Sequence, residues 1–368
     1  MKIDFFELLI RFKMWRKKPL HIHDALKETN FETVAFLSNT AIGDTLFNTP
    51  VFRAFKQNFP HKKTIGVFNP ANLALFKTNP YIDTFLTFNG KWNTFFTTLK
   101  ALKEAKPDIV FILHSNEPQA TPLALLSGAK YIIKIPNDKN SFAPYHSNKR
   151  TATNLEKHGI FDRLKQLHYV DIHSEDPTLE LFLEDGWKQS VLSFFETHHL
   201  RDPHTIRIGF QVGASTKSRM WFEEQWIALA KLLLQHNEHI RILLTGSPAE
   251  KALTAPIHEA LKSDRVFDCA GLFSLGGAAA LIGELDLLIT PDTGPLHIAT
   301  ALKTPTIGLF AVADPKNSNA CYDTNIHLFI KKPRTCEPCI GKRCTYQKCM
   351  LQITPIEVQQ LIKSIIKQ

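Results

Sequence analysis

Short, almost unbroken apolar runs alternate with longer stretches of helical spacing along most of this chain. In the first half, residues 34–37 (Val-Ala-Phe-Leu), 64–67, 108–113 and 131–133 read as strands. Residues 44–58 read as a helix carrying Leu46, Phe47, Val51 and Phe55 on one side, and a second helix is expected near 153–167 inside a polar region, 137–176. The second half restarts the alternation: strands at 206–210, 240–244, 287–289 and 306–309, with helices at 223–234, 248–261, 274–282 and 296–302. Runs without polar alternation suit parallel strands covered on both faces. Two successive strand–helix–strand series therefore predict two doubly wound α/β domains, with ligands bound outside the carboxyl ends of the strands, in the cleft between them. A helical stretch, 181–199, leads into the polar segment 198–204, which reads as the linker. The expected domains are thus 31–199 and 200–350, preceded by an extension, 1–30, and followed by a terminal segment, 351–368, whose helix is expected to pack back on the first domain.

Composition narrows the class. A length of 368 residues suits two cores rather than one, and 44% hydrophobic with 21% charged residues is globular, not disordered. No apolar run approaches the ~20 residues that a membrane-spanning helix needs. The apolar N-terminus is interrupted by Glu7 and followed by no small-residue cleavage site, so a cytoplasmic protein is expected. A net charge of +9 points to an acidic partner. Nucleic acid is not expected, because no basic stretch is interleaved with aromatics as in a recognition module. In the extension, Phe5, Leu8, Phe12 and Trp15 share one helical face beside Arg11, Lys13, Arg16, Lys17 and Lys18. Such a helix either lies on an anionic membrane surface or packs on the protein's own flank with its basic side in solvent.

Four strand-to-helix turns carry candidate chemistry. The first, residues 38–44, ends on Asp44, a carboxylate placed either to accept a proton from an attacking hydroxyl or simply to favour a helix start. The second, 213–221, brings Ser215, Thr216, Lys217 and Arg219 together, a composition suited to clamping a diphosphate or to an ordinary solvated loop. In the third, Glu250 follows Gly246-Ser247-Pro248 and fits either a ribose diol or a first-turn acid. The fourth is Asp292-Thr293-Gly294-Pro295-Leu296-His297. A helix starting there offers unpaired N–H groups and a positive dipole end to an anion, with Asp292 within reach of a sugar hydroxyl, unless Asp292 or Thr293 is an ordinary cap. His297 suits either phosphate contact or structural capping. There is no Asp-x-Asp triplet, GxGxxG, Walker A loop, GxSxG or HExxH, which argues against redox, NTPase and serine-hydrolase chemistry.

Taken in order, residues 42–50, 213–221, 246–250, 270–275 and 292–310 resemble glycosyltransferase family 9, the ADP-heptose:lipopolysaccharide heptosyltransferases, from about Phe31 onward. The resemblance implies a GT-B fold, two Rossmann-like doubly wound domains facing a central cleft. It implies inverting, metal-independent transfer of heptose from ADP-heptose to the inner core of lipopolysaccharide, on a lipid A–Kdo type acceptor at the cytoplasmic face of the inner membrane. Asp44 is then the general base, Arg219 holds the donor phosphate, Glu250 meets the nucleoside, Asp292 the heptose, and Thr293, Gly294, Leu296 and His297 the diphosphate. Departures are Ser38 where the family often has a basic residue, Arg219 for its usual Lys, Phe222 for a common Pro, and Ala311-Val312 for Gly-Pro. The alternatives are a nucleotide-sugar 2-epimerase of the same architecture, transfer to a protein hydroxyl, and a non-catalytic membrane scaffold.

Four of the six cysteines, Cys336, Cys339, Cys344 and Cys349, cluster near the end of the chain. They suit a structural zinc or iron site, reduced thiols or disulfides, while no cofactor is expected for catalysis. Cys269 and Cys321 are expected to be buried and inert.

Overall fold

A computed structural model describes residues 5–137, 139–149 and 158–366. The chain divides into two compact units, Met1–Glu180 and Leu181–Gln368.

The first unit opens with α1 (Phe5–Met14), β1 (Thr33–Ser38), α2 (Ile42–Leu46) and α3 (Thr49–Asn58). Next come β2 (Lys63–Phe68), α4 (Leu73–Phe76), β3 (Thr84–Thr87) and α5 (Trp92–Ala105). It closes with β4 (Ile109–His114), α6 (Ala120–Leu126), β5 (Tyr131–Lys134) and α7 (Gly159–Leu164). All five strands are parallel, in the order β3-β2-β1-β4-β5. The apolar runs are the central strands: Val34 to Leu37 and Ile109 to Leu113 are buried throughout.

The helix expected over 44–58 is two helices. Asn48 breaks it by donating its amide to the buried Ser38 hydroxyl at 2.7 Å, and Pro50, which lacks an N–H, fits the first turn of the new helix. Of the helix expected near 153–167, residues 153–157 lie outside the described residues; the rest is α7 and a 3₁₀ stretch, Lys165–Val170.

The second unit begins with α8 (Asp185–Thr197), β6 (Ile206–Gln211), α9 (Glu223–His236), β7 (Ile240–Thr245) and α10 (Lys251–Leu261). It continues through β8 (Val266–Asp268), α11 (Leu275–Gly283), β9 (Leu287–Pro291) and α12 (Gly294–Ala301). After β10 (Thr306–Phe310), α13 (Pro315–Ser318) and β11 (His327–Lys331), the chain ends in α14 (Pro355–Ile365). Its six parallel strands run β11-β10-β9-β6-β7-β8.

Two expectations about segment placement are corrected. The break between units falls before α8, not at the polar stretch 198–204. The cause is packing: Trp187 lies so close over α11 that a Cβ on Gly276 would come within 2.1 Å of the indole. Similarly, α14 packs within the second unit. Val358 and Ile362 are buried in the core of the second unit, against α9.

Each unit also buries a histidine in its neutral form. His146 Nε2 lies 2.9 Å from Thr121 Oγ1, and His327 Nδ1 lies 3.1 Å from Thr306 Oγ1. Burial pushes both rings down to about 4. Unfolded histidine takes up its proton near pH ~6.5, so the stabilisation is complete above that pH and is lost as pH falls towards ~4. The melting temperature is therefore expected to fall on acidification from pH ~7 to ~5, with His146→Gln and His327→Gln each flattening the slope; calorimetry across that range measures it.

Candidate active site

In each sheet, the chain leaves one pair of neighbouring strands in opposite directions. In the first unit that pair is β1 and β4; in the second it is β6 and β9. The loops that follow such a pair diverge and leave a crevice at the carboxyl ends. Every turn singled out in the sequence, apart from the one holding Glu250, follows one of these four strands.

At the first crevice, Asp44 sits in the opening turn of α2, held by a braced loop. Thr45 Oγ1 donates to the Ser38 carbonyl at 3.2 Å, and Asn72 Nδ2 donates to the Thr40 carbonyl at 2.8 Å. Asp44 Oδ1 accepts from Arg163 Nη2 at 3.2 Å and lies 3.4 Å from His114 Nε2, at the end of β4. The other nitrogen of that ring, Nδ1, is 2.6 Å from Thr40 Oγ1. Burial, reinforced by Arg163 and Lys134, outweighs the attraction of Asp44 and holds His114 below its ordinary pKa. In the neutral ring, a hydroxyl donating to Nδ1 leaves the proton on Nε2, facing the carboxylate; the other tautomer would aim a lone pair at it. Asp44 is thus held by one donor, Arg163, with the His114 ring beside it. Arg163 stacks over Phe47 at 5.2 Å, and its Nε and Nη1 are buried without a hydrogen-bond partner among the described residues. Ser38, where the resembled family often has a cation, is buried and structural.

At the second crevice, the loop after β6 and the start of α12 meet through one ion pair. Arg219 donates from Nη1 to the Asp292 carbonyl at 3.0 Å, and Nη2 lies 3.2 Å from Asp292 Oδ2. Arg219 Nε is buried with no hydrogen-bond partner among the described residues. The opening turn of α12 has no side-chain cap: Thr293 Oγ1 instead pairs with Thr290 Oγ1 at 2.9 Å. The ordinary N-cap is therefore not what Thr293 does, and the start of α12 presents the positive end of its dipole. Ser215 and Lys217 are exposed beside it, Thr216 Oγ1 lies 3.3 Å from Ser218 Oγ, and Leu296 and His297 are buried.

Both crevices carry an Arg–Asp pair, but with opposite exposure. Arg163 keeps 5% of its side-chain surface and Asp44 34%; Arg219 keeps 18% and Asp292 9%. The first pair offers solvent a carboxylate, the second a guanidinium.

Glu250 lies at the end of β7, next to the second crevice. It is a structural acid in a capping box, with Oε2 accepting from the Ser247 N–H at 2.7 Å. Its Oε1 is 3.5 Å from Gln211 Nε2, itself fixed by Thr245 Oγ1 donating to Gln211 Oε1 at 2.9 Å. Gly213 leaves room for this carboxylate, since a Cβ there would stand 1.8 Å from Oε1.

Of the alternatives for the four clustered cysteines, the described residues show free thiols. Among the described residues no three His, Cys, Asp or Glu side chains come together as a metal site. Instead of converging, Cys339 Sγ accepts from the Gly341 N–H at 3.4 Å, and Cys349 Sγ accepts from the N–H and lies 3.4 Å from the hydroxyl of Thr335. Burial alone would raise the Cys349 thiol, but those contacts and Lys331 bring it below its usual range. Cys269 is buried and pushed up to about 12, while Cys321 is half-buried rather than buried. The tail braces the loop after β6: Gln347 Nε2 donates to the Met220 carbonyl at 2.8 Å, and Trp221 Nε1 to that of Ile353 at 3.0 Å.

His114 and Arg163 were not singled out from the sequence. His114 had a usable signal, as a polar residue ending a confident apolar strand. Arg163 had none, since it comes from a polar stretch far along the chain.

The family model for glycosyltransferase family 9 (heptosyltransferase) matches residues 145–350. The chain is 25% identical over 293 residues to the lipopolysaccharide core heptosyltransferase OpsX of Haemophilus influenzae, covering 77% of this chain and 80% of that one. It is likewise 25% identical over 332 residues to lipooligosaccharide heptosyltransferase 2 of Campylobacter jejuni, covering 89% and 96%. Among solved structures it is similar to a family 9 glycosyl transferase from Veillonella parvula, with a TM-score of 0.77 at 20% identity over 93% of this chain and 98% of that one. Escherichia coli heptosyltransferase WaaC with ADP matches with a TM-score of 0.68 at 17% identity over 91% and 100%. These likenesses show the fold: the two doubly wound units are those of a GT-B protein.

Gly213→Ala is expected to push Glu250 out of its capping box and cost about 1 kcal/mol of stability. The same change in a Glu250→Ala background should cost almost nothing further; a double-mutant cycle by chemical denaturation checks the coupling.

Proposed function

We propose that this chain, which belongs to glycosyltransferase family 9, transfers a heptose from ADP-heptose to a hydroxyl of the lipopolysaccharide inner core, on a lipid A–Kdo type acceptor. The observation that carries this reading is the opposite exposure of the two Arg–Asp pairs. Glycosyl transfer needs a carboxylate that can reach the nucleophile to take its proton and a cation that can reach the leaving diphosphate. The first unit supplies Asp44, and the second supplies Arg219 at the uncapped start of α12.

The donor is assigned to the second unit. Its diphosphate meets the first N–H groups of α12 around Gly294, the hydroxyls of Ser215, Thr216 and Thr293, and the charges of Lys217 and Arg219. Arg219, the more exposed member of its pair, offers its guanidinium to a phosphate oxygen. Glu250, whose lone pairs are only partly used by Ser247 and Gln211, accepts from the ribose. Asp292 accepts from the heptose with the lone pairs Arg219 leaves free. These cations and N–H groups together answer the charge that builds on the leaving group, the role a divalent ion plays in metal-assisted transfer.

The acceptor is assigned to the first unit. Asp44, paired with Arg163 and lying beside His114, removes the proton as the acceptor oxygen attacks the anomeric carbon from the face opposite the departing ADP. That order of events inverts the anomeric configuration. The lipid portion of the acceptor places the reaction at the cytoplasmic face of the inner membrane. No helix among the described residues is long and apolar enough to cross a membrane.

Asp44→Asn is expected to lower kcat by about 10²- to 10⁴-fold while leaving ADP-heptose affinity within about twofold. Single-turnover kinetics and calorimetric titration separate the two, and an Asn variant with full turnover would remove Asp44 from the role of base.

A further inference from the structure

The N-terminal helix carries two apolar faces, and the protein uses only one of them. Glu7, Ile10 and Met14 are buried against the first unit, with Ile10 and Met14 joining the core that contains α6. Arg11 fixes this docking: it pairs with Glu7 at 2.9 Å and stacks over Phe142 at 4.3 Å. The helix therefore packs on the protein's flank, but not through the face expected from spacing. Phe5, Leu8, Phe12 and Trp15 point the other way, with Phe12 74% and Trp15 67% exposed, and Leu9 lies among them. An apolar stripe on a single docked helix is an unusual thing for a protein to leave in water.

We propose that this outward face of α1 inserts into the interfacial region of a bilayer rich in anionic lipid. The charge around it selects the occupant. Lys13, Arg16, Lys17 and Lys18 are exposed at the same end of the helix, whereas the only acidic residue of α1, Glu7, is buried and already neutralised by Arg11. Aromatic and aliphatic side chains ringed by lysine and arginine match a surface that is apolar inside and negative outside. A second protein chain would have to present the same layering to compete. Because α1 is already folded and fixed by its inner face, insertion requires no coupled folding, and the helix lies in the membrane plane with the first unit against the lipid.

The test uses the full chain and vesicles containing neither donor nor acceptor, so its outcome is independent of the proposed transfer reaction. Co-sedimentation with phosphatidylethanolamine–phosphatidylglycerol vesicles is expected to exceed that with phosphatidylcholine vesicles and to weaken as salt is raised. The double variant Phe12→Glu, Trp15→Glu should bind at least about tenfold less while melting at the wild-type temperature; Lys17→Glu, Lys18→Glu should lose the preference for phosphatidylglycerol. The proposal is overturned if the wild type binds neither vesicle, if it binds both equally at all salt concentrations, or if the Glu variant binds as well as wild type. It is equally overturned if that variant only dissociates a dimer, which would assign the face to a second copy of the chain.

Discussion

Parallel pairing of β1 with β4, and of β6 with β9, is the constraint on which the rest of the structure depends. A strand in a parallel sheet must return by a crossover, and the right-handed crossover commits the chain to one direction across the sheet. Where the direction reverses, two adjacent strands send their following loops apart, and nothing in the sheet fills the gap. Each unit has one such place, and the ionisable groups of the site gather around it. The apolar strands thus create the crevice; the polar turns only furnish it.

The two crevices solve opposite electrostatic problems with the same pair of residue types. Burying one member of an Arg–Asp pair would be costly if it stood alone, but its partner offsets much of the desolvation. The partner that remains more exposed then determines what the crevice attracts. In the first unit the buried member is Arg163, stacked on Phe47, so a carboxylate faces out. In the second it is Asp292, at the start of α12, so a guanidinium faces out beside the positive end of a helix. Glu250, Gln211 and Thr245 form a third, quieter network that shapes the neighbouring loop around Gly213.

Both ends of the chain are attached to this framework by different means. The C-terminal segment with its four thiols leans on the loop that carries Lys217 and Arg219, through Gln347 and the Trp221 indole, so its structural effect reaches the site without any gathering of the cysteines. The N-terminal helix leans on the first unit by its inner face and leaves its outer face unused by the described protein.

Much of the architecture could be read from the chain alone, because strands buried on both faces have no polar interruptions and so announce themselves. The strands that escaped notice, β3, β8 and β11, all lie at sheet edges, where half-exposed positions dilute the apolar run. The loops bearing Asp44, Lys217, Arg219 and Asp292 were equally legible, since small residues, hydroxyls and charges between a strand and a helix have few other uses. Sequence could not say which of several cheap local roles each acid takes. Glu250 in a capping box, Thr293 turned towards Thr290, and Asp44 held by His114 and Arg163 are decided by groups distant in the chain. The same is true of the two terminal helices: spacing shows that α1 and α14 have apolar faces, but only the shape of the surface each meets determines which face is covered and by what.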